Sequence, residues 1–161
     1  MKKITFTLDS RSIGQAIREV EKFRDDLQRA VSELTNALVT EGTEFAKLEV
    51  LRLGAFDTGE LADSIQGYYD SETHVGVIWT DVYYACFIEY GTGVVGASNA
   101  HPNPTEWAYD VNNHGESGWV YHSDRDNKFH WTKGQPSSPF MYNTFMQLRR
   151  RAIELWRGIN I

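Results

Sequence analysis

The chain has 161 residues, of which 41% are hydrophobic and 24% are charged, as in an ordinary globular domain. Its single cysteine, Cys86, excludes a disulfide framework within the chain. The net charge of −6 argues against a general nucleic-acid binder, and no segment approaches the ~20 apolar residues that a membrane helix needs. We therefore expect one domain, residues 1–161, that is made and kept in cytosol-like conditions or exported by some route without a signal.

The charges are unevenly distributed. Twelve acidic residues lie between Gly54 and Asn127, where Arg125 is the one basic residue. Lysine and arginine collect in the first 52 positions and from Lys128 onward. The middle of the chain would therefore repel a phosphate backbone.

The N-terminal third predicts a strand and then a long helix. Residues 3–8 alternate apolar and polar side chains, which is typical of a short strand. Ser10 or Ser12 then caps a helix, in which apolar residues recur in steps of three and four from Ile13 to Leu48. Such a helix is roughly 50 Å long. We expect it to lie across its own sheet, with a break near Gly42 considered; the alternative is that one end reaches a neighbouring subunit.

A turn and a hairpin follow this helix. The segment 53–59 turns the chain, and Asp57 or Thr58 can cap a short helical turn that ends at Ser64. Residues 65–69 and 74–80 then read as two antiparallel strands of a hairpin.

An aromatic stretch comes next. Tyr83, Phe87 and Tyr90 have the spacing of one helix face, and Gly91 supplies the left-handed residue that commonly ends a helix. The carboxylate of Glu89, set among these rings, needs a partner because burying it alone is costly.

The C-terminal half predicts a long insert and a second long helix. Residues 94–138 are loop-like and rich in histidine and tryptophan, with residues 119–123 and 128–133 able to pair as a second hairpin. Pro139 opens the last helix, the natural partner of the first. We expect the arginines 149–151 of this helix to pair with the acidic middle, within or between subunits, and not to bind nucleic acid.

Two motifs resemble known active sites. Asp57-Thr58-Gly59 copies the aspartic protease triplet, but Glu60 follows it and no second copy exists, so a capped turn is the better interpretation. Residues 91–96 match G-x-G-x-x-G. Because we expect no helix to begin there, we predict no nucleotide site.

Scattered side chains could also carry chemistry. The histidines of the insert and their neighbouring carboxylates fit no standard zinc spacing, namely His101, His114, His122 and His130 with Asp124 and Asp126. Cys86 lies in an apolar helix, where cysteine is usually a small core residue. We therefore expect no metal, no cofactor and no catalysis. The alternative is a small hydrolase that uses Cys86 or Glu89 with a histidine of the insert.

One pattern links three distant segments. It consists of D-T-G-x-L-x-x-S, Y-A-x-x-x-E-Y-G-T and P-F, carried by Asp57, Thr58, Gly59, Leu61 and Ser64, by Tyr84, Ala85, Glu89, Tyr90, Gly91 and Thr92, and by Pro139 and Phe140. In this order the pattern resembles the tail-completion proteins (neck or minor tail-component proteins) of long-tailed bacteriophages and prophages, from about Ser10 to Gly158. The insert, Val94 to Ser138, is longer and more aromatic than the link usual in that family.

The resemblance implies an α+β subunit, with the two long helices packed on a small antiparallel sheet. It implies a non-enzymatic ring, most simply six-fold, in the neck or tail of the virion. The expected partners are other copies, head-closure or connector proteins, and tail-tube or tail-terminator proteins; DNA would pass through unbound. A prophage-derived interaction module with a cellular partner is a further possibility.

The signature residues would then have structural roles. Gly59 and Gly91 permit special backbone angles. Glu89 can accept hydrogen bonds from the loop that begins at Gly91-Thr92, and Pro139 fixes a helix start.

Overall fold

The computed structural model describes residues 4–55, 59–110, 112–123 and 125–159. The helices are α1 (Ser10–Arg52), α2 (Glu60–Ser64), α3 (Ala85–Tyr90), α4 (Gly93–Ser98) and α5 (Phe140–Gly158), with a 3-10 turn at Gly115–Ser117. The strands are β1 (Gln66–Asp70), β2 (Val75–Trp79), β3 (Trp119–Ser123), β4 (Lys128–Thr132) and β5 (Gly134–Gln135). Two long helices combined with antiparallel hairpins confirm the predicted α+β class.

The segment before α1 differs from the prediction. Residues 4–8 form no strand, and Leu8 is 93% exposed. An alternating pattern yields a strand only where another strand accepts its hydrogen bonds. The helix cap is Asp9, not Ser10 or Ser12, because the Asp9 carboxylate accepts bonds from the backbone N–H groups of Arg11 and Ser12.

The first helix is unbroken. It contains 43 residues, which makes it about 65 Å long at 1.5 Å per residue. The break considered near Gly42 is absent from α1. Gly42 is instead buried, at the point where two other elements approach the helix. A Cβ at Gly42 would lie 2.4 Å from Ile78 Cδ1 of β2 and 2.6 Å from Leu148 Cδ1 of α5.

The first hairpin is present as predicted, and it packs on α1 through small residues. β1 pairs with β2 from Gln66 opposite Trp79 to Asp70 opposite Val75. Gly67 and Gly76 face α1 so closely that an added Cβ would meet Val39 within 2.7 Å. The two glycines therefore let the hairpin lie flat against the helix.

The last helix runs antiparallel to α1, which confirms the predicted helix pairing. Asn143 near its start bonds to Glu49, and Arg151 further along bonds to Glu41. This ion pair corrects the prediction for Arg151, whose partners are Glu41 and Glu154 instead of the acidic middle.

The core lies where the C-terminal half of α1 meets α2, α3 and the start of α5. Its buried residues are Ala46, Val50, Leu61, Ala62, Ile65, Ala85 and Phe140. Phe140, Ile65 and Val50 are the largest fully buried side chains. Each element contributes one or two residues, so the core depends on all of them meeting at once.

The insert contains the predicted second hairpin and one helix that was not predicted. β3 pairs with β4 from Trp119 opposite Thr132 to Ser123 opposite Lys128. The expectation that no helix begins after the glycine-rich loop was wrong, because α4 starts at Gly93. The element before this loop is a helix, so the strand–loop–helix arrangement of a nucleotide-binding fingerprint is still missing.

Candidate functional site

The three motif segments of the sequence meet in one place. Leu61 of α2, Ala85 of α3 and Phe140 of α5 are all less than 8% exposed and belong to the same core. Gly59 adopts φ 93° at the start of α2, as predicted for a special backbone angle. Asp57 and Thr58 lie outside the described residues.

Glu89 is the central polar residue of this joint. Its side chain is buried, and its carboxylate accepts bonds from Met141 N (2.8 Å), Tyr142 N (2.9 Å) and His101 Nε2 (3.0 Å). Glu89 thus satisfies two of the backbone N–H groups left free at the start of α5, and its charge complements the helix dipole. Glu89 was predicted to accept bonds from the Gly91-Thr92 loop. Its carboxylate instead caps α5, where Met141 lies 52 residues further along the chain.

His101 completes the buried pair. Its Nδ1 accepts a bond from Asn103 N (3.0 Å), so the ring proton lies on Nε2, where Glu89 accepts it. The ring lies 4.6 Å from that of Tyr90 and 5.3 Å from that of Tyr142, measured between centroids. Both ring nitrogens and both carboxylate oxygens therefore take part in the hydrogen bonds that hold this joint together.

A second buried carboxylate, Glu49 of α1, also holds α5. It accepts two bonds from the Arg52 guanidinium, one from Asn143 Nδ2 (2.9 Å) and one from Gln147 Nε2 (3.2 Å). The bond from Arg52 lowers the pKa of Glu49, outweighing the opposite effect of burial. We call Glu49 and Glu89 the carboxylate clamp, since together they fix the first turns of α5.

Sequence reasoning missed Glu49. The local signal was an i, i+3 pair with Arg52, a pattern that is most often a solvent-exposed ion pair. The better signal was its position beside the apolar residues Ala46 and Val50 of the long helix.

Gly91 joins α3 to the insert. Its φ of 81° confirms the special backbone angle, but its ψ of 172° is extended and not the predicted left-handed helical value. An added Cβ would lie 2.7 Å from Ser137 N. The Gly91 carbonyl accepts a bond from Trp107 Nε1 (2.9 Å), and the Trp107 ring stacks on Tyr90 at 5.0 Å. The insert is thereby anchored against α3.

The remaining signature residues make local ties. The hydroxyl of Ser64 donates to the Leu61 carbonyl (2.8 Å) and lies 2.6 Å from that of Thr80. The hydroxyl of Tyr84 donates to Glu60 (2.8 Å). In the same way, the Thr92 hydroxyl accepts a bond from Gln135 N, and Pro139 immediately precedes α5.

Except for Glu89 with His101 and Asp126 with His130, the described side chains considered for chemistry lie apart from one another. Among the described residues, no three or more histidine, cysteine or acidic side chains are placed to hold a metal. His122 and His130 point to opposite faces of the second hairpin. Cys86 is half-buried and does not belong to the core, in contrast to the expectation, and its Sγ lies 3.3 Å from the Tyr83 carbonyl.

Comparison with protein-family models, curated proteins and solved structures finds no match to this chain. No helix within the described ranges is long and apolar enough to cross a membrane. The residues of the joint connect α1, α2, α3, the insert and α5.

Proposed function

We propose that this protein is a structural subunit of a ring-shaped adaptor at the head–tail junction, or at the upper end of the tail tube, of a long-tailed bacteriophage or prophage. The ring completes the tail and lets DNA pass. The observation that carries this proposal is the convergence of the three signature segments in one buried joint. Leu61, Ala85 and Phe140 share its core, and Glu89 caps α5. A signature of this kind maintains a subunit's shape.

The charge distribution supports the same function. Residues 59–110 contain eight acidic side chains and neither lysine nor arginine. A channel lined by such a surface would release no counterions from DNA, so the DNA would not adhere to it. The partners in the virion would be further copies of this chain, head-closure or connector proteins, and tail-tube or tail-terminator proteins.

The hydrolase alternative would use Cys86 or Glu89 with a histidine of the insert. Glu89 and His101 are in contact, but their polar atoms serve the helix cap and the Asn103 turn. A cleft of about 1350 Å³ separates the insert from α2 and α3, and its lining within the described residues includes neither Cys86 nor Glu89. The geometry thus favours the structural function.

Light scattering and negative-stain imaging over a range of protein concentrations test the proposal. We expect rings with a central opening, either alone or when purified tail tubes are added. Fluorescence anisotropy at low salt should show no tight DNA binding by these rings. A strict monomer in both conditions that also turns over ester or peptide substrates, with activity lost in Cys86→Ala or Glu89→Gln, would refute the proposal in favour of the hydrolase.

A further inference from the structure

The first part of α1 extends beyond the rest of the molecule. The first buried residue of this helix is Ala30, and the turn of the first hairpin reaches α1 only at Ser32, whose hydroxyl lies 3.1 Å from His74 Nδ1. Residues 10–29, which we call the arm, therefore project by about 30 Å. An amphipathic helix is stabilised mainly by the packing of its apolar stripe against another surface.

The arm carries such a stripe. Ile13, Ile17, Val20 and Phe23 lie on one side of the helix, and they are 38%, 53%, 55% and 41% exposed. Arg24 lies on the same side of the helix, just after Phe23, and is the first charged residue on that side. Its side chain is 64% exposed. The stripe from Ile13 to Phe23 is about 15 Å long.

A matching surface lies on the outer face of the first hairpin, formed by Tyr68, Val75, Val77 and Trp79. The pairing of β1 with β2 places these side chains on the face opposite the glycines that contact α1. They are 60%, 51%, 44% and 40% exposed. A five-residue strand is about 15 Å long, the length of the stripe.

We propose that the arm of one copy covers the outer face of the first hairpin of the next copy. The inference rests on the proposed function only in that a ring needs a head-to-tail contact. A copy cannot make this contact with itself, because its own α1 already packs on the hairpin's inner face through Val39. The contact is heterologous, so repetition closes a ring or extends a filament.

Area and charge both fit this occupant. With a large apolar side chain taken as roughly 200 Å² when fully exposed, each surface offers about 400 Å² of apolar area. The two surfaces together would bury about 800 Å², less than the roughly 1,200 Å² at which stable specific interfaces begin. A single contact of this size is weak, so we expect it to hold only where ring closure makes several contacts cooperate. Arg24 at the end of the stripe bonds to the exposed Asp25 of its own helix (2.8 Å). In the contact it would exchange this partner for Asp70 and the exposed Glu72 at the turn end of the hairpin, where no lysine or arginine is present from 66 to 81.

Engineered disulfides test the contact directly. In a Cys86→Ser background, Ile17→Cys and Val77→Cys chains are mixed under oxidising conditions at concentrations up to millimolar. We expect one covalent dimer containing one chain of each kind, and a ladder of multimers or a closed ring from a chain with both cysteines. Lys22→Cys, on the opposite side of the arm, should not cross-link to Val77→Cys. We expect these chains to keep their fold because the arm is outside the core and Val77, on the outer face of the first hairpin, is 44% exposed.

The other outcomes separate the possible partners. Cross-linking of Ile17→Cys chains to one another would show that arms pair as a coiled coil, and would overturn the proposal. An apolar groove of about 320 Å³ lies between α1 and α5 and is lined in part by Leu38 and Phe145. Cross-linking of Ile17→Cys to Phe145→Cys alone would place the arm in this groove, and would also overturn the proposal. Rings from the unmodified chain without any Ile17–Val77 cross-link overturn this contact while the proposed function stands. Cross-links without rings or tail binding leave the contact in place and count against the adaptor function.

Ile17→Asp gives an independent measurement. It should lower self-association at least tenfold by light scattering, with an unchanged thermal midpoint, whereas Lys22→Asp should leave both unchanged. Arg24→Glu should weaken association, and the added Glu72→Lys change should restore it. Equal effects of Ile17→Asp and Lys22→Asp would contradict the arrangement.

Discussion

Replacing Glu89 should destabilise the protein far more than replacing an exposed carboxylate. In Glu89→Ala, the N–H groups of Met141 and Tyr142 and the Nε2–H of His101 lose their acceptor. Leaving a buried donor unsatisfied costs about 1–3 kcal/mol. With partial relaxation and water entry, we expect the free energy of unfolding to fall by about 3–5 kcal/mol, in the range seen when a buried pair loses one partner.

Glu89→Gln separates the hydrogen bonds from the packing. The amide keeps one oxygen but turns an NH₂ group toward a backbone donor, so we expect a loss of about 1–2 kcal/mol. Urea denaturation followed by tryptophan fluorescence and circular dichroism measures both variants. Glu44→Ala, which removes an exposed carboxylate of α1, is the control and should change stability by less than about 0.5 kcal/mol. A loss below about 1 kcal/mol for Glu89→Ala, or an equal loss for Ala and Gln, would refute the capping role.

Three further predictions concern the surroundings of the clamp. The hydrogen bond from an arginine of α5 lowers the pKa of Glu41 below its ordinary value of 4.5. This pair therefore stabilises the fold above pH 4.5, and its contribution is lost as pH falls through the folded-state pKa. When the free energy of unfolding is measured from about pH 7 to about pH 3, its decrease with falling pH should be shallower in Glu41→Gln. Gly91→Ala should lower the free energy of unfolding by about 2–4 kcal/mol because Gly91 has a positive φ and close neighbours. Gly54→Ala, where φ is also positive but the surrounding space is open, should lower it by about 1 kcal/mol. Equal losses of stability in chemical denaturation would contradict this prediction. Trp107→Phe removes one hydrogen bond that anchors the insert. Limited proteolysis should therefore cut the insert faster, while the free energy of unfolding falls by about 1 kcal/mol or less. An unchanged cleavage rate would count against the anchor.

Much of the fold could be predicted because its signals are local. The steps of three and four from Ile13 to Leu48 and the alternation around Val75 to Trp79 report helix and strand directly. Residues 4–8, the described part of the expected strand, form no strand because they pair with none in the described part of the chain. The short helix α4 was missed because its sequence favours no helix; backbone contacts hold it, including Gly93 N to the Tyr109 carbonyl (2.6 Å).

The site was harder to predict than the fold because its bonds are long-range. The need of Glu89 for a partner was evident from its apolar neighbours, but its partners lie 12 to 53 residues away in sequence. The pairing of Arg151 with Glu41 likewise depends on the alignment of α5 against α1, separated by 110 residues. Local spacing identifies which side chains need partners, and only the packing of the helices determines which partners they meet.

The insert divides into an anchored part and a projecting part, and this division can be tested by excision. Trp107 and Gln135 bond to carbonyl groups of α3 and its end, whereas Val120, Phe129 and Trp131 of the second hairpin are 60–76% exposed. Trp119 and Thr132 pair at the base of this hairpin, so replacing residues 120–131 by Asn-Gly would close it with a tight turn. Because these three side chains bury little surface, we expect the unfolding midpoint to change by no more than a few degrees, and the arm-to-hairpin cross-link to persist. Loss of cooperative unfolding would show that the second hairpin belongs to the folding unit. A normal fold that no longer binds tail tubes or connector proteins would instead locate the partner contact on this hairpin.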